Sequence, residues 1–274
     1  MSESSASGGV ADGGGALSTL SVTIVCCDNE AVIGRCVESV VGLAGEIVAV
    51  DSGSTDRTVE ILESRGARVV HQPWLGFVKQ KQFALEQVSG AWVLHLDSDE
   101  SLEPELREAV RRVVERDPNA RGAVGGAEVN RKVWWAGGFL HHAWQPEWRL
   151  RLVKRDSARW AGYDPHDKLE LTDASLGIEK LAGDMRHDSI ESFMGFLAKQ
   201  AKHSAVGAKS YDAMGRRGRA LKLVTSPVGA WLKQVVLKGA WRDGWRGWCA
   251  AGATAAAAFM KHAALLERQR GGGR

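Results

Sequence analysis

Residues 97 to 100 read Asp97-Ser98-Asp99-Glu100, three acids in four positions, just after the apolar run Trp92-Val93-Leu94. Like charges this close repel, and local folding alone does not call for them. An Asp-x-Asp at a strand end can hold one divalent cation. Mg²⁺ and Mn²⁺ take carboxylate oxygens and keep waters and substrate phosphates as their other partners. Such a cation would neutralise the charge that grows on a departing phosphate. The tripeptide alone is more often an exposed acidic turn, so its place in the fold decides what it means.

The surrounding pattern is strand and helix in alternation. LSVTIVCC (20–27), EIVAVD (46–51), ARVVHQ (67–72) and AWVLHLD (91–97) are strand-like runs. Asn29 is placed to cap a helix with an apolar stripe at Ala31, Val32, Val37, Val40 and Val41. DSGSTDRT (51–58) is a polar turn leading to a helix from Val59, and FVKQKQFALEQV (77–88) makes a third helix. Glu103 is expected to cap a helix with Pro104 at its first position. This rhythm predicts an α/β fold with a mostly parallel sheet and right-handed crossovers. Ligands of such sheets bind beyond the carboxyl ends of the strands. There the sequence places Asp28-Asn29-Glu30, then Asp51-Ser52-Gly53-Ser54, then Asp97-Ser98-Asp99. Three acidic loops on one edge turn the tripeptide into a candidate metal and phosphate site. Gln80, early in the third helix, is a candidate to face the ligand, against the plainer expectation that it, Lys79 and Lys81 form a solvated face.

Beyond residue 120 the rhythm changes. Residues 123–130 and 148–154 are strand-like, and RKVWWAGGFLHHAWQPE (131–147) is expected to be a loop on the acceptor side that can close over a substrate. Phe193, Met194, Leu197, Ala201, Ala205 and Ala208 mark an amphipathic helix, followed by a helical tail with Trp231, Trp241, Trp245 and Trp248. Residues 201–274 hold 14 Lys/Arg against 3 Asp/Glu, so a basic tail follows an acidic body. Trp and Arg on amphipathic helices suit a membrane surface better than nucleic acid, of which no module pattern appears. The longest nearly uncharged stretch, residues 248–260, has 13 residues. A spanning helix needs about 20, so the tail is expected either to touch a membrane surface peripherally or to pack on the body as a helical lid. Residues 1–18 are expected to be a disordered Ser/Gly-rich tail without the features of a signal peptide. The four cysteines show no paired framework; Cys26 and Cys27 look like buried thiols, which points to a reducing, cytoplasmic setting.

Other phosphate-binding schemes are missing: there is no G-x-G-x-x-G after the first strand, no G-x-x-x-x-G-K-[ST] and no G-x-S-x-G. Instead TIVCCDNEAVIGRCVESV, EIVAVDSGSTDRTVEIL, PWLGFVKQKQFAL and GAWVLHLDSDESLEPEL resemble successive blocks of family 2 glycosyltransferases, above all the branch of bacterial lipopolysaccharide-core β-glucosyltransferases. The resemblance covers about residues 20–190 well and continues more weakly beyond.

It implies a GT-A fold at residues 19–188, with a basic helical extension at 189–274. It also implies inverting transfer from a nucleotide sugar, most often UDP-linked, with Mg²⁺ or Mn²⁺. The donor expected is a UDP-glucose-like nucleotide and the acceptor a lipid-linked saccharide, at the inner face of the cytoplasmic membrane. By this likeness Glu30 and Asp51 lie near the nucleoside, Asp97 near the ribose or sugar, and Asp99 on the metal. Arg151 matches an arginine near the site, and His187 lies where a late metal ligand or phosphate contact is found. The general base falls in GYDPHDKLEL, at Asp167 with Asp164 as its alternate. Here the chain departs from the His-Glu form of the branch, since aspartate reaches one methylene less far. A sugar-phosphate nucleotidyltransferase would carry a Gly-rich basic loop where this chain has CCDNEAVIG. A non-catalytic sugar-nucleotide binder would have no need of a base.

Overall fold

The computed structural model describes residues 15–116, 124–163 and 166–271; the alternate base Asp164 lies outside them. Strands β1 (Leu17–Cys26), β2 (Ala44–Asp51), β3 (Arg68–His71) and β4 (Trp92–Asp97) alternate with helices α1 (Glu30–Glu38), α2 (Thr58–Glu63) and α3 (Phe77–Glu86). The four strands are parallel in the order β3-β2-β1-β4. Register sets Cys26 opposite Asp51 and Val25 opposite Asp97. The two aspartates therefore flank the end of β1, on the edge the sequence indicated.

The chain continues through β5 (Glu100–Leu102), α4 (Pro104–Val114), β6 (Val124–Trp135), β7 (Gly138–Phe139) and β8 (Trp148–Lys154). Next come β9 (Ala158–Tyr163), β10 (His166–Leu171) and β11 (Gly177–His187). β8 lies antiparallel between β4 and β6, and β11 joins β6 in parallel and β5 antiparallel. β9 and β10 form a separate hairpin. β11 is bulged where it crosses α4. At Gly183 φ is +83°, and an added Cβ would lie 2.3 Å from the Leu106 nitrogen, so the crossing is reserved for glycine.

Strand alternation sorts the layers. Leu20, Val22 and Ile24 point to a core shared with Ile33, Leu62, Leu106 and Val110 of α1, α2 and α4. Val48, Val93 and Val153 face the other way, against Leu85 of α3 and Trp160 and Leu169 of the β9–β10 hairpin. Ser21 and Thr23, on the inward polar positions of β1, are buried but paired: Ser21 donates to Glu46 at 2.7 Å, and Thr23 Oγ1 sits 2.7 Å from His95 Nδ1.

Several local expectations are corrected. Asn29 stands at the start of α1 but its side chain accepts from Cys27 N instead of capping the helix. Glu103 likewise makes no capping bond. Cys27 is exposed, and β1 starts at Leu17, inside the expected tail. β6 runs on through Trp135, so Trp134 and Trp135 belong to a strand and not to a loop.

The C-terminal unit holds α5 (Phe193–Ala213), α6 (Lys222–Leu232), a π-helical segment (Lys233–Leu237), a short 3-10 turn (Ala240–Asp243) and α7 (Trp245–Gly271). The buried face of α5 is the expected stripe only in part: Ala208 is buried and Phe193 packs on a core cluster, but Met194, Ala201 and Ala205 are exposed, and Ser204 is buried instead, bonding to Ala257 of α7. The uncharged stretch 248–260 is part of the single helix α7. The segment Trp245–Arg270 is long and apolar enough to cross a membrane by length and composition. This corrects the expectation that no segment reaches that length. α7 also packs against its neighbours, burying Ala250, Ala251, Ala253 and Leu265.

Candidate active site

Each acid of the opening cluster meets a different partner. Glu100 is fully buried and accepts from Arg151 Nη2 at 2.6 Å and Arg131 Nη1 at 3.2 Å. Its other oxygen accepts from Asp97 N at 3.0 Å, which fixes the turn. Glu100 therefore answers to arginines of β6 and β8, a structural need that the sequence did not reveal. Asp97 receives Arg151 Nη2 at 2.8 Å and Lys81 Nζ at 2.7 Å. Burial acts to raise the Asp97 pKa, but Arg151 and Lys81 outweigh it and hold the carboxyl well below the usual range.

Lys81 also reaches Asp167 Oδ2 at 2.8 Å and stands over the Trp160 ring, 4.8 Å from its centroid. One ammonium thus ties the β4 tip to the β10 strand of the hairpin. Between them opens a cleft of about 520 Å³. Five of its lining residues are basic: Lys81, Arg131, Arg149, Arg151 and Lys168. Its carboxylates are Asp97, Glu128 and Asp167, so the lining favours an anionic ligand. Trp148 and Trp160 give it aromatic walls.

Asp99 stands apart from that network. β5 pairs with β11 so that His187 lies opposite Glu100, and Asp188 N bonds to Asp99 O at 2.8 Å. This brings His187 Nε2 to 3.4 Å from Asp99 Oδ2. His187 Nδ1 is buried and has no hydrogen-bond partner among the described residues. Burial raises the Asp99 pKa, and the hydrogen bond from His187 more than reverses it. Among the described residues no three His, Cys, Asp or Glu side chains converge as a metal cage. One carboxylate facing one imidazole still fits Mg²⁺ or Mn²⁺, which leaves most positions to water and diphosphate oxygens.

Glu30, Asp51 and Gln80 are built into the structure at the carboxyl edge of the sheet and do not line the cleft. Asp51 has a fully buried side chain and accepts from Gly53 N at 3.0 Å, Ser54 N at 3.0 Å and Ser54 Oγ at 2.5 Å. Burial opposes its ionisation, but the Ser54 and Gly53 bonds prevail and its pKa is lowered. Glu30 accepts from Arg57 N at 3.1 Å, while Asp28 accepts from Thr55 N at 2.7 Å, stitching the first two acidic loops together. Gln80 is fully buried; it accepts from Leu75 N and donates to Ser52 Oγ and Gln72 O. All three therefore shape the edge. Their neighbour Lys81, expected on a solvated face, is the one whose side chain enters the cleft.

The tryptophan-rich loop is pinned. Asp243 accepts from the nitrogens of His141, His142 and Ala143 at 2.8–3.0 Å, and Gln234 accepts from Trp144 N at 3.1 Å. Trp135 packs with Phe193 and Trp245. A loop bound at so many points to the helical unit does not act as a lid on its own.

Below the cleft, His95 is buried between Thr23 and Trp160, with Nε2 unpartnered among the described residues. Burial, helped by Arg151 and Lys81, pushes its pKa down to about 3. Unfolded, it would titrate near 6.5. Between those values the unfolded chain holds the extra proton, so stability falls as pH drops through the window. Chemical denaturation should show about 2 kcal/mol less stability at pH 5 than at pH 7 from this group, a difference that His95→Gln removes.

Residues 21–167 match the family model described as Glycosyl transferase family 2. The chain is 33% identical over 260 residues to the lipopolysaccharide core biosynthesis glycosyltransferase LpsC of Rhizobium meliloti (strain 1021), covering 91% of this chain and 92% of that one. An uncharacterized glycosyltransferase of Rickettsia bellii (strain RML369-C) is 44% identical over 94 residues, 34% of this chain and 32% of its own. Among solved structures, S. aureus TarS 1–349 aligns over 92% of both chains at 14% identity and a TM-score of 0.47. Glucosyl-3-phosphoglycerate synthase from Mycobacterium tuberculosis, in complex with Mn²⁺, UDP-glucose and glycerol 3-phosphate, aligns over 42% of this chain and 44% of that one, with 26% identity and a TM-score of 0.35.

Proposed function

This chain belongs to glycosyl transferase family 2, and on that premise we propose that it is an inverting, metal-dependent enzyme moving glucose or a related sugar from a UDP-linked donor to a lipid-linked saccharide of the lipopolysaccharide core. Its fold is of the GT-A type, a curled, parallel-rich sheet flanked by helices. One observation carries the reading: Asp97 and Asp167 face one cation-lined cleft through Lys81, with the Asp99–His187 pair on the same strand tip.

Asp97, kept ionised by Arg151 and Lys81, is set to accept from donor hydroxyls. Arg131 and Lys81 offer charge to the diphosphate. Asp99 and His187 would hold Mg²⁺ or Mn²⁺. When bound, that ion supplies charge neutralisation for the leaving nucleoside diphosphate. Asp167, oriented by Lys81, takes the proton from the acceptor hydroxyl as that oxygen attacks the anomeric carbon from the opposite face. Glu30, Asp51 and Gln80 hold the nucleoside-side loops in shape.

A membrane setting on the cytoplasmic side is supported by the exposed apolar row Leu232, Val236, Leu237, Trp241 and Trp245, fringed by Lys233, Lys238, Arg242 and Arg246. Rings sit at headgroup depth and each basic residue adds about 1 kcal/mol near anionic lipid.

The test is UDP release from a panel of UDP-sugars, with Mn²⁺ or with EDTA, in the presence of delipidated core oligosaccharide. Release with one donor, dependent on metal and acceptor, is expected. Equal release under EDTA would overturn the metal role, and none with any donor would overturn the donor class.

A further inference from the structure

The exposed apolar row at Leu232 continues back along α6. Leu221, Val224 and Val228 precede it at helical spacing, on one face, and are 72%, 64% and 51% exposed. Between Val224 and Val228 of α6 and Ala255 and Phe259 of α7 runs a shallow groove of about 430 Å³ with an entirely apolar lining. No charge interrupts the chain between Lys222 and Lys233. The charge is gathered in the turn before α6, where Arg216, Arg217, Arg219 and Lys222 are exposed and none has a carboxylate partner among the described residues. An apolar stripe with unpaired cations at its end fits an anionic bilayer, whose acyl region takes the stripe and whose phosphates take the cations. Nucleic acid would answer the cations but not the stripe. A second copy would answer the stripe but set its own cations against these.

Helix length and tethering decide how the unit meets such a surface. α6 has 11 residues, about 16 Å, against about 30 Å for the hydrocarbon core, so it does not cross. α7 has 27 residues but is bonded to the rest of the chain along its length. Thr254 Oγ1 accepts from Trp144 Nε1 at 2.9 Å, Lys261 Nζ donates to Tyr211 Oη at 3.2 Å, and Gln269 Nε2 donates to Asp212 Oδ1 at 2.8 Å. A crossing α7 would set Lys261 in hydrocarbon and draw these partners in with it.

We infer that the helical unit docks flat on an anionic phospholipid surface; the inference rests on the membrane setting proposed above. The α6 stripe and the groove beside it enter the acyl region, Arg216, Arg217, Arg219 and Lys222 lie among the phosphates, and α7 backs α6 without crossing.

Sedimentation of the full chain with vesicles of phosphatidylcholine, alone or mixed with phosphatidylglycerol, tests it. Phosphatidylglycerol should tighten binding about 100-fold, and alkaline carbonate should release the bound chain. Val224→Glu/Val228→Glu, at exposed positions, should weaken binding to the mixed vesicles about 10-fold or more, and Arg217→Glu/Arg219→Glu should remove most of the gain from phosphatidylglycerol. Circular dichroism checks the fold of both. A chain that stays in the vesicles after carbonate would be a crossing one and would overturn the flat seat. Wild-type binding by Val224→Glu/Val228→Glu would place the contact elsewhere and overturn it too, while leaving the membrane setting intact. Loss of a dimer in that variant, with vesicle binding unchanged, would give the groove to a second copy. Absence of binding to either vesicle would remove the membrane setting itself, and the flat seat with it.

Discussion

Asp167→Asn is expected to lower kcat by about 10²–10⁴-fold while UDP affinity and melting temperature stay close to wild type. The substitution keeps the size of the side chain and an oxygen that can accept from Lys81, 2.8 Å away, but removes the group that takes the proton. A loss in kcat with little change in donor KM would identify an interaction made in the transition state. Asp167→Glu adds the methylene in which this chain differs from the His-Glu form, and its residual rate measures how strictly reach is set. Asp167→Asn retaining activity within about threefold would exclude Asp167 as the base.

Arg151→Met carries the second large effect, this one on stability. Arg151 is 5% exposed and neutralises two carboxylates, Glu100 at 2.6 Å and Asp97 at 2.8 Å. Removing it leaves Glu100 with Arg131 alone and Asp97 with Lys81 alone. Breaking one side of a buried pair costs about 3–5 kcal/mol, because the remaining charge stays out of water. For a chain of this size that is a fall of roughly 10 °C in melting temperature. The double variant Arg151→Met/Glu100→Gln should recover part of the loss, since the stranded charge is gone with its partner. A single variant melting within about 2 °C of wild type would mean that the network is not what holds this edge together.

The parallel half of the fold was legible in the sequence because buried parallel strands are near-continuous apolar runs and their ends are marked by turn formers. β2 and β4 end at Asp51 and Asp97 as the pattern placed them, and β8 occupies residues 148–154 as expected. The site was legible in part. Asp97, Arg151 and Asp167 come together, and Asp99 meets His187, some 90 positions away in sequence, because β5 pairs with β11.

What remained hidden depends on tertiary partners. Glu100 stood in the sequence only as a third crowded acid, with no sign of the two arginines from other strands that pair with it. Lys81 looked solvated, yet it precedes the buried Ala84 and Leu85 by three and four residues, the spacing of one helix face. That signal could have placed it inward. The loop 136–147 gave no sign of being fastened, because its anchors Asp243 and Gln234 lie about 100 residues further on. The α5 stripe was misread in part, at Met194, Ala201 and Ala205, because Ser204 and Gly207 face α7, where small side chains allow close approach.

Titration of UDP into the wild-type chain and into Asp99→Ala, each with and without Mn²⁺, bears most directly on the central claim. Mn²⁺ should tighten UDP about 30-fold in the wild type and have almost no effect in Asp99→Ala. UDP binding equally well without the ion, or the same gain persisting in Asp99→Ala, would contradict it.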